Sequence, residues 1–305
     1  MDYQLVQDQI FGLIEAELDG AKVTRSVGTS REDAVNFGLH IRQSRKNNVP
    51  LPLDVLMSHG LADKSYLLAK GADGRRLVNN YQHVIVPGEW FKRRLRRWRW
   101  HPIPSKRVTI RPTQVHVGGW PRVDHFFDSQ PELPPSGRPR LLWAPSHNNS
   151  SRQQSFSSYP AFEAYLDRLA EEFDVRVSLH PSNRTDKSPT QGDLDWAEVV
   201  ISDFGTLLYE AWAAEKCVII PRWLIPDAIE HGSLRFSAEG QVFAKRIGNH
   251  AKTFEELLDY ARQGNKPDPG VQSFMKGILD PRYRGSSARR IAELLQTLPV
   301  PRLGN

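Results

Sequence analysis

The stretch at residues 199–210 has residue types that suit phosphate binding. Its sequence, VVISDFGTLLYE, begins with an apolar run, passes through a short polar turn and ends in a helical pattern. Open α/β sheets bind ligands at the carboxyl ends of strands, and free N–H groups at a helix start attract anions. Gly205 allows a ligand to approach the backbone, and the Ser202 and Thr206 hydroxyls can donate to phosphate oxygens. An ordinary turn with a helix cap is the alternative interpretation.

Polar residues also follow four other predicted strands. Strand ends of a doubly wound domain share one edge of the sheet, so these clusters should converge. Three clusters contain a histidine, which suits proton transfer near neutral pH. One histidine after a strand is more often structural, but three of them beside a phosphate-type turn indicate a catalytic cleft. The clusters are Ser58-His59-Gly60, Gly118-Gly119-Trp120, Ser146-His147-Asn148-Asn149 and His180-Pro181-Ser182-Asn183.

Several common site patterns are missing from the sequence. It contains no HExxH and no paired Cys/His spacing, so we expect no built-in metal. It also lacks GxGxxG, GxxxxGK[ST] and GxSxG, which removes support for dinucleotide oxidoreductases, P-loop proteins and α/β-hydrolases. The single cysteine, Cys217, excludes a disulfide within the chain.

Length and composition indicate a soluble protein with two domains. The chain has 305 residues, 39% of them hydrophobic and 25% charged. We find no apolar run near the ~20 residues of a membrane span and no signal-peptide pattern, and we expect a cytoplasmic protein. The net charge of +6 predicts attraction to polyanions such as nucleic acid, a phosphate-bearing polymer or an anionic membrane face.

The elements that must position the polar clusters alternate between strands and helices, which predicts an α/β fold with parallel sheets. Strands are predicted at 54–57, 83–86, 113–117, 140–144, 175–179, 199–201 and 217–220. Helices are predicted at 3–19, 30–42, 159–173, 254–262 and 287–298, among others. A stretch rich in proline and polar residues predicts a linker at 131–139 between an N-terminal domain, 1–130, and a C-terminal domain, 140–285. Residues 286–305 should form a helix and tail that cross back.

Six segments resemble, in order, the CDP-glycerol glycerophosphotransferases and their capsule-polymer relatives. They are HGLADK at 59–64, VIVPGEW at 84–90, GGWPRVD at 118–124, LLWAPSHNN at 141–149, LHPSNR at 179–184 and ISDFGTLLYE at 201–210. The resemblance covers roughly residues 55–225. It implies the GT-B glycosyltransferase fold, in which two Rossmann-like domains with parallel sheets face a central cleft. The chain lacks the long flanking helical parts of the larger members.

The resemblance also implies roles for particular residues. His59 and His180 match the family's catalytic or donor-phosphate histidines. Residues that match the family's donor contacts are Ser202, Asp203, Thr206 and Glu210. Gly205 departs from the pattern, because a second hydroxyl residue is usual at that position, and the transferred group could therefore differ.

The chemistry of such a transfer assigns the remaining candidates. The donor would be a CDP- or UDP-linked compound, with no intrinsic cofactor, and charge develops on its leaving group. Lys64 and a protonated histidine would stabilise that charge, beside the donor-binding residues Ser146, His147 and Asn148. His59 is the expected base for the acceptor hydroxyl, with Asp63 or Asp124 as substitutes. Glu210 could bind two ribose hydroxyls or be an exposed helix acid.

A basic stretch, FKRRLRRWRW at 91–100, has six basic residues and three aromatics. As a helix it could lie on an anionic membrane face or track a nucleic-acid backbone with stacked bases. It could also pack its aromatic stripe on the sheet as a solvated helix. The residues expected to bind a polyanionic acceptor are Arg93, Arg94, Arg96, Arg97, Trp98 and Trp100.

These observations predict a transferase that moves a glycosyl or glycerophosphoryl group from a nucleotide-diphosphate donor to a hydroxyl on a polymeric, anionic acceptor. The acceptor would be a lipid-linked glycan, with peripheral contact at the inner membrane face through residues 90–100, or DNA. One alternative is a phage-type DNA glycosyltransferase acting on a modified base such as a hydroxymethylpyrimidine. Another is a non-catalytic basic protein that binds nucleic acid or membranes.

Overall fold

The structure, a computed structural model, shows two compact units with a parallel sheet in each. It describes residues 3–25, 34–39, 54–58, 60–63, 65–71, 74–128, 137–147, 156–183, 191–231 and 234–298. The first unit comprises Gln7–Asp124 and Lys276–Asn305, and the second comprises Met1–Val6 and His125–Met275. The predicted α/β fold with parallel sheets is confirmed.

The strands and helices alternate along most of the chain. The strands are β1 (Phe37–Gly38), β2 (Val55–Met57), β3 (His83–Val86), β4 (Val115–Val117), β5 (Arg140–Trp143), β6 (Asp174–Val177), β7 (Val199–Ile201), β8 (Cys217–Pro221) and β9 (Asn249–Ala251). The helices are α1 (Tyr3–Glu15), α2 (Glu89–Trp98), α3 (His125–Asp128), α4 (Leu166–Ala170), α5 (Gln191–Trp196), α6 (Thr206–Ala213), α7 (Ala238–Ala244), α8 (Phe254–Gln263), α9 (Pro269–Ile278) and α10 (Ser287–Thr297).

The first unit has a sheet with the strand order β1-β2-β3-β4, and all its pairs are parallel. Its central strands are short apolar runs with both faces covered, as expected for a parallel sheet. Helix α10 packs closely on the turn after β4. A Cβ at Gly118 would lie 2.8 Å from both Ile85 Cγ2 and Ile291 Cγ1, so only glycine leaves room for that contact.

The second unit has a sheet with the order β6-β5-β7-β8-β9, again parallel. Alternate residues of β5, β7 and β8 enter one apolar core with Phe162 and the apolar side of α8. Trp143, at the end of β5, is fully buried there. The core fixes the register of β5 against β7, and with it the positions of the two loops that follow these strands.

Two predicted helices differ from the structure. The helix predicted at 30–42 is wrong where it can be compared, because Phe37–Gly38 forms β1 beside β2. The Asp54 carboxylate accepts from the Asn36 backbone N–H (2.8 Å) and side-chain amide (3.0 Å), and these bonds hold that segment extended. The helix predicted at 159–173 is shorter and divided, with a 3₁₀ turn at Ala161–Tyr165 before α4.

Within the described ranges, no helix is both long enough and apolar enough to cross a membrane.

Candidate functional site

The Asp203 carboxylate ties together the loops that follow β5 and β7. It is fully buried. Its Oδ1 accepts from the Ser146 N–H (2.7 Å) and the Phe204 N–H (2.5 Å). Its Oδ2 accepts from the Ser158 N–H (2.6 Å) and hydroxyl (2.8 Å). Charge-assisted bonds of this kind are the strong ones, so Asp203 sets the shape of this edge of the sheet.

Ser202 reinforces the same junction. Its hydroxyl donates to the carbonyl oxygen of Ala144 at 3.0 Å, directly after β5. Its backbone N–H donates to the carbonyl of Ile219 in β8 at 3.1 Å. The Ser202 side chain, which was predicted to contact the donor, is therefore buried within the turn and positions the neighbouring loop.

Two histidines stand side by side at this edge. His147 follows β5 and His180 follows β6, and their ring centroids are 5.1 Å apart. His180 Nδ1 accepts from the Ser182 N–H at 3.2 Å. His147 Nδ1 is buried and has no hydrogen-bond partner among the residues that the structure describes. A buried polar atom normally has a partner, so the His147 ring has unused hydrogen-bonding capacity at this edge.

Helix α6 begins at the same strand edge. Gly205, Thr206 and Leu207 are partly exposed, whereas the rest of the helix is buried. Its N-cap residue is Gly205, which has no side chain to cap the first turn. Its leading N–H groups are the donors that bind phosphate at helix starts.

Glu210 lies in the buried part of α6, a little more than one turn after Gly205. It is 3% exposed, so its interpretation as an exposed helix acid is wrong. Its other interpretation, a contact with a ribose, stays a prediction.

Asp63, one of the two residues predicted as a substitute base, is not accessible as a general base would be. It is 3% exposed, its carboxylate forms an ion pair with Arg94, and Trp90 Nε1 donates to it at 3.3 Å. Arg94 also donates to the Ser65 hydroxyl at 2.8 Å. Arg94 therefore differs from the expectation of an exposed, polyanion-binding arginine, because it is turned towards the body of the unit. Asp63 and Arg94 hold α2 on the loop after β2.

Asp124, the other substitute base, caps α10. Its carboxylate accepts from the Ser287 hydroxyl at 2.7 Å and from the Ala288 N–H at 3.1 Å. These bonds satisfy the helix start and give Asp124 a structural task.

The remaining candidates of the basic helix divide between its two faces. Phe91 and Leu95 are buried, which agrees with the predicted packing stripe. Trp98 lies between the Arg76 guanidinium, 4.4 Å from the ring centroid, and the stacked His101 ring at 4.9 Å. Trp100 is 84% exposed. The exposed arginines beside it are Arg93, Arg96 and Arg97.

Three predicted site residues, His59, Lys64 and Asn148, lie outside the described residues. Ser158 is a site residue that no sequence pattern indicated. It contacts Asp203 and accepts from Trp143 Nε1 at 3.2 Å. Ser158 follows no predicted strand, so its position gave no signal. Its partner Trp143, a buried indole that needs an acceptor, is the only hint in the sequence.

Two Rossmann-like units with parallel sheets define the fold class of the GT-B glycosyltransferases. A solved structure of the wall teichoic acid polymerase TagF is similar to this chain, with a TM-score of 0.53 and 12% sequence identity over 86% of this chain and 72% of that one. A histidine-to-alanine variant of the same polymerase matches with a TM-score of 0.50 and 12% identity, over 83% of this chain and 69% of its own.

No family model matches the chain, and no curated protein matches it in sequence. At 12% identity the structural similarity establishes the fold and leaves the chemistry to the site.

Proposed function

We propose that this protein is a GT-B-type transferase that uses a nucleotide-diphosphate donor. The observation that carries the proposal is the pair of His147 and His180 at the strand edge where buried Asp203 joins the loop after β5 to the turn that begins α6. Histidines that can carry a proton and helix N–H groups are complementary to a diphosphate. TagF, whose fold is similar, is named as a polymerase of wall teichoic acid, and its name favours a polymeric acceptor for this chain too.

The donor diphosphate would lie against Gly205 and Thr206. The glycine lets phosphate oxygens approach the backbone, and the threonine hydroxyl and helix N–H groups donate to them. His147 would donate through Nδ1, and Ser146 and Asn148 complete this side. Binding the charged donor away from water strengthens each of these bonds.

The transfer step needs an acid near the leaving nucleotide and a base near the acceptor. His180, when protonated, would stabilise the charge that develops on the departing phosphate. His59 is the proposed base. Lys64 would be the second cation, in addition to protonated His180. Asp63 is assigned a positioning role, because it already binds Arg94 and Trp90. The group transferred would be glycosyl or glycerophosphoryl, and the donor CDP- or UDP-linked.

The acceptor would be a polymeric, anionic molecule on the exposed face of α2. Arg93, Arg96 and Arg97 supply charge there, and the exposed ring of Trp100 supplies a surface for stacking or for a membrane interface. A lipid-linked glycan is the favoured acceptor. Retention on anionic vesicles, compared with retention on duplex DNA at the same salt concentration, separates it from the nucleic-acid alternative.

A thermal-shift screen with CDP-, UDP-, GDP- and ADP-linked compounds tests donor binding. A donor at a hundred times its Kd should raise the Tm by about 5–10 °C, because it binds only the folded chain. His147→Ala and His180→Ala should each reduce that shift. His231→Ala is the matched control, since His231 is an exposed histidine of the same unit.

An equal shift in wild type and both site variants would overturn the donor site. Transfer is tested separately with the donor that binds. Turnover that survives in both His59→Ala and His180→Ala would contradict the proposed acid and base.

A further inference from the structure

A cavity in the first unit lies apart from the proposed donor site, whose residues His147, His180 and Asp203 belong to the second unit. It has a volume of about 270 Å³ and lies along edge strand β4, between the start of α2 and α10. Residues 115–118 form one side. Side chains from the two helices and from the segment before α10 form the others. The proposed transferase reaction does not use this cavity.

The charged side chains around the cavity are mainly cations. Lys92, Arg282 and Arg290 line it together with one carboxylate, Glu89, which gives a formal charge of +2. Arg282 is already occupied, because it binds Asp280 at 2.5 Å and approaches Glu89 at 3.6 Å. Lys92 forms no ion pair with a carboxylate in the part of the chain that the structure describes.

Arg290 is only loosely paired. Its Nη1 lies 3.6 Å from Glu293 on the same helix, and both side chains are more than half exposed. Such an exposed pair contributes little, because solvent screens the attraction between the two charges. Lys92 and Arg290 are therefore the two cations available to an anionic ligand.

His116 lines the cavity, and its ring contacts a second histidine, His83. His116 Nε2 and His83 Nδ1 are 3.0 Å apart, across β3 and β4. Burial lowers the pKa of His116 to about 4, and the nearby positive charges of Lys92 and Arg290 act in the same direction. The ring is therefore neutral at pH 7, and it can donate or accept a hydrogen bond without adding charge.

The other side of the cavity is less polar. The Tyr283 ring and Leu294 lie there, and Val117 of β4 adds an apolar side chain to the lining. The volume is just below the ~300–1,000 Å³ of pockets for drug-sized ligands, so it suits a molecule of a few carbon atoms.

We propose that this cavity binds a small phosphate monoester. Its phosphate lies between Lys92 and Arg290, and its carbon skeleton lies against Val117, Tyr283 and Leu294. A phosphate monoester carries about −1.5 to −2 at pH 7, which complements the two available cations better than a single carboxylate does. An arginine beside a lysine is also a common combination for phosphate, since the guanidinium binds two oxygens at once.

The test is calorimetric titration of the full chain with glycerol 3-phosphate and with inorganic phosphate, at constant ionic strength. Lys92→Met and Arg290→Ala should each weaken binding at least tenfold. Arg289→Ala is the matched control, because it removes the same charge from the next position of α10 and Arg289 does not line the cavity. Equal weakening in Arg289→Ala would show attraction to general charge only and would overturn the proposal.

A second measurement uses the wild-type protein, in which all charges around the cavity are unchanged. The ring signals of His116, assigned in a histidine-labelled sample with His116→Gln, should shift on addition of glycerol 3-phosphate to the wild type. Unchanged His116 signals at saturation would contradict the proposal, whatever the variants do.

The phosphate could instead enter the donor site, and His180→Ala separates the two. Binding that persists in His180→Ala and is lost in Lys92→Met supports the new cavity. The reverse pattern places the ion at the donor site and overturns the inference. Failure of the nucleotide screen leaves this result unaffected, since the two sites lie in different units.

Discussion

Replacing Asp203 by asparagine should loosen the strand edge on which the donor site is built. The substitution keeps the size and shape of the side chain but removes its charge and turns one acceptor oxygen into an NH₂ donor. The oxygen that remains can still accept from the Ser146 and Phe204 N–H groups. The new NH₂ group faces the buried N–H of Ser158, so two donors meet and that N–H loses its acceptor.

The expected cost follows from these contacts. A buried donor without an acceptor costs about 1–3 kcal/mol, and bonds to a neutral amide are weaker than bonds to a carboxylate by roughly 1 kcal/mol each. Relief from burying a charge offsets part of this loss. We expect Asp203→Asn to lower the free energy of unfolding of the second unit by about 2–4 kcal/mol. Ser158→Ala removes fewer bonds and should cost about 1–2 kcal/mol.

Urea denaturation followed by circular dichroism measures these differences. The control is Asp259→Asn, because the Asp259 side chain is 65% exposed and its ion pair with Arg262 is on the surface. The control should change stability by no more than about 0.5 kcal/mol. If Asp203→Asn proves as stable as the control, Asp203 does not organise the two loops, and the account of the site fails.

Three further outcomes are expected. Burial lowers the pKa of His250 to about 4, below the ~6.5 of an unfolded chain. The contribution of neutral His250 to folding stability is therefore complete above pH 6.5 and is lost on acidification towards pH 4. His250→Asn should therefore remove about 2 kcal/mol of the stability loss between pH 7.5 and pH 5, and an unchanged pH profile would contradict this. Asp63→Asn breaks a buried ion pair and should cost about 3 kcal/mol in urea denaturation, whereas a purely catalytic Asp63 would lower turnover at constant stability. Gly119→Ala should cost about 1–3 kcal/mol, since φ is +83° and a Cβ would lie 2.3 Å from Ser287 Oγ, while Gly137→Ala, with no neighbour within 4 Å, should be neutral by the same measurement.

Much of the second unit could be predicted from local pattern. The apolar runs at residues 199–201 and 217–220 lie in β7 and β8, and the helix between them begins at Thr206. Short apolar runs bounded by turns are typical of buried parallel strands, and here tertiary structure agreed with the pattern. The contact between Ser146 and Asp203 follows from the shared edge of strand ends.

The rest depends on partners far away in the chain. Nothing local distinguishes Asp63, which binds Arg94, from a carboxylate open to substrate. Phe37 lies in β1 because β2 and Asp54 offer a strand partner, although its surroundings have a helical pattern. β9 has three residues, two of which are polar, and it is too short for a periodic signal.

The hydrogen bonds between Asp124 and the start of α10 affect the order in which the two units fold during synthesis. The first unit includes α10, whose Ser287 binds both Trp120 and Asp124 across more than 160 positions. The second unit is nearly continuous, from His125 to Met275, so its chain leaves the ribosome before the segment that completes the first unit. Domains usually fold as they emerge, beginning with the N-terminal one. In this protein we expect the opposite order during synthesis. The second unit should fold first, and the N-terminal sheet should become stable only after α10 has been made.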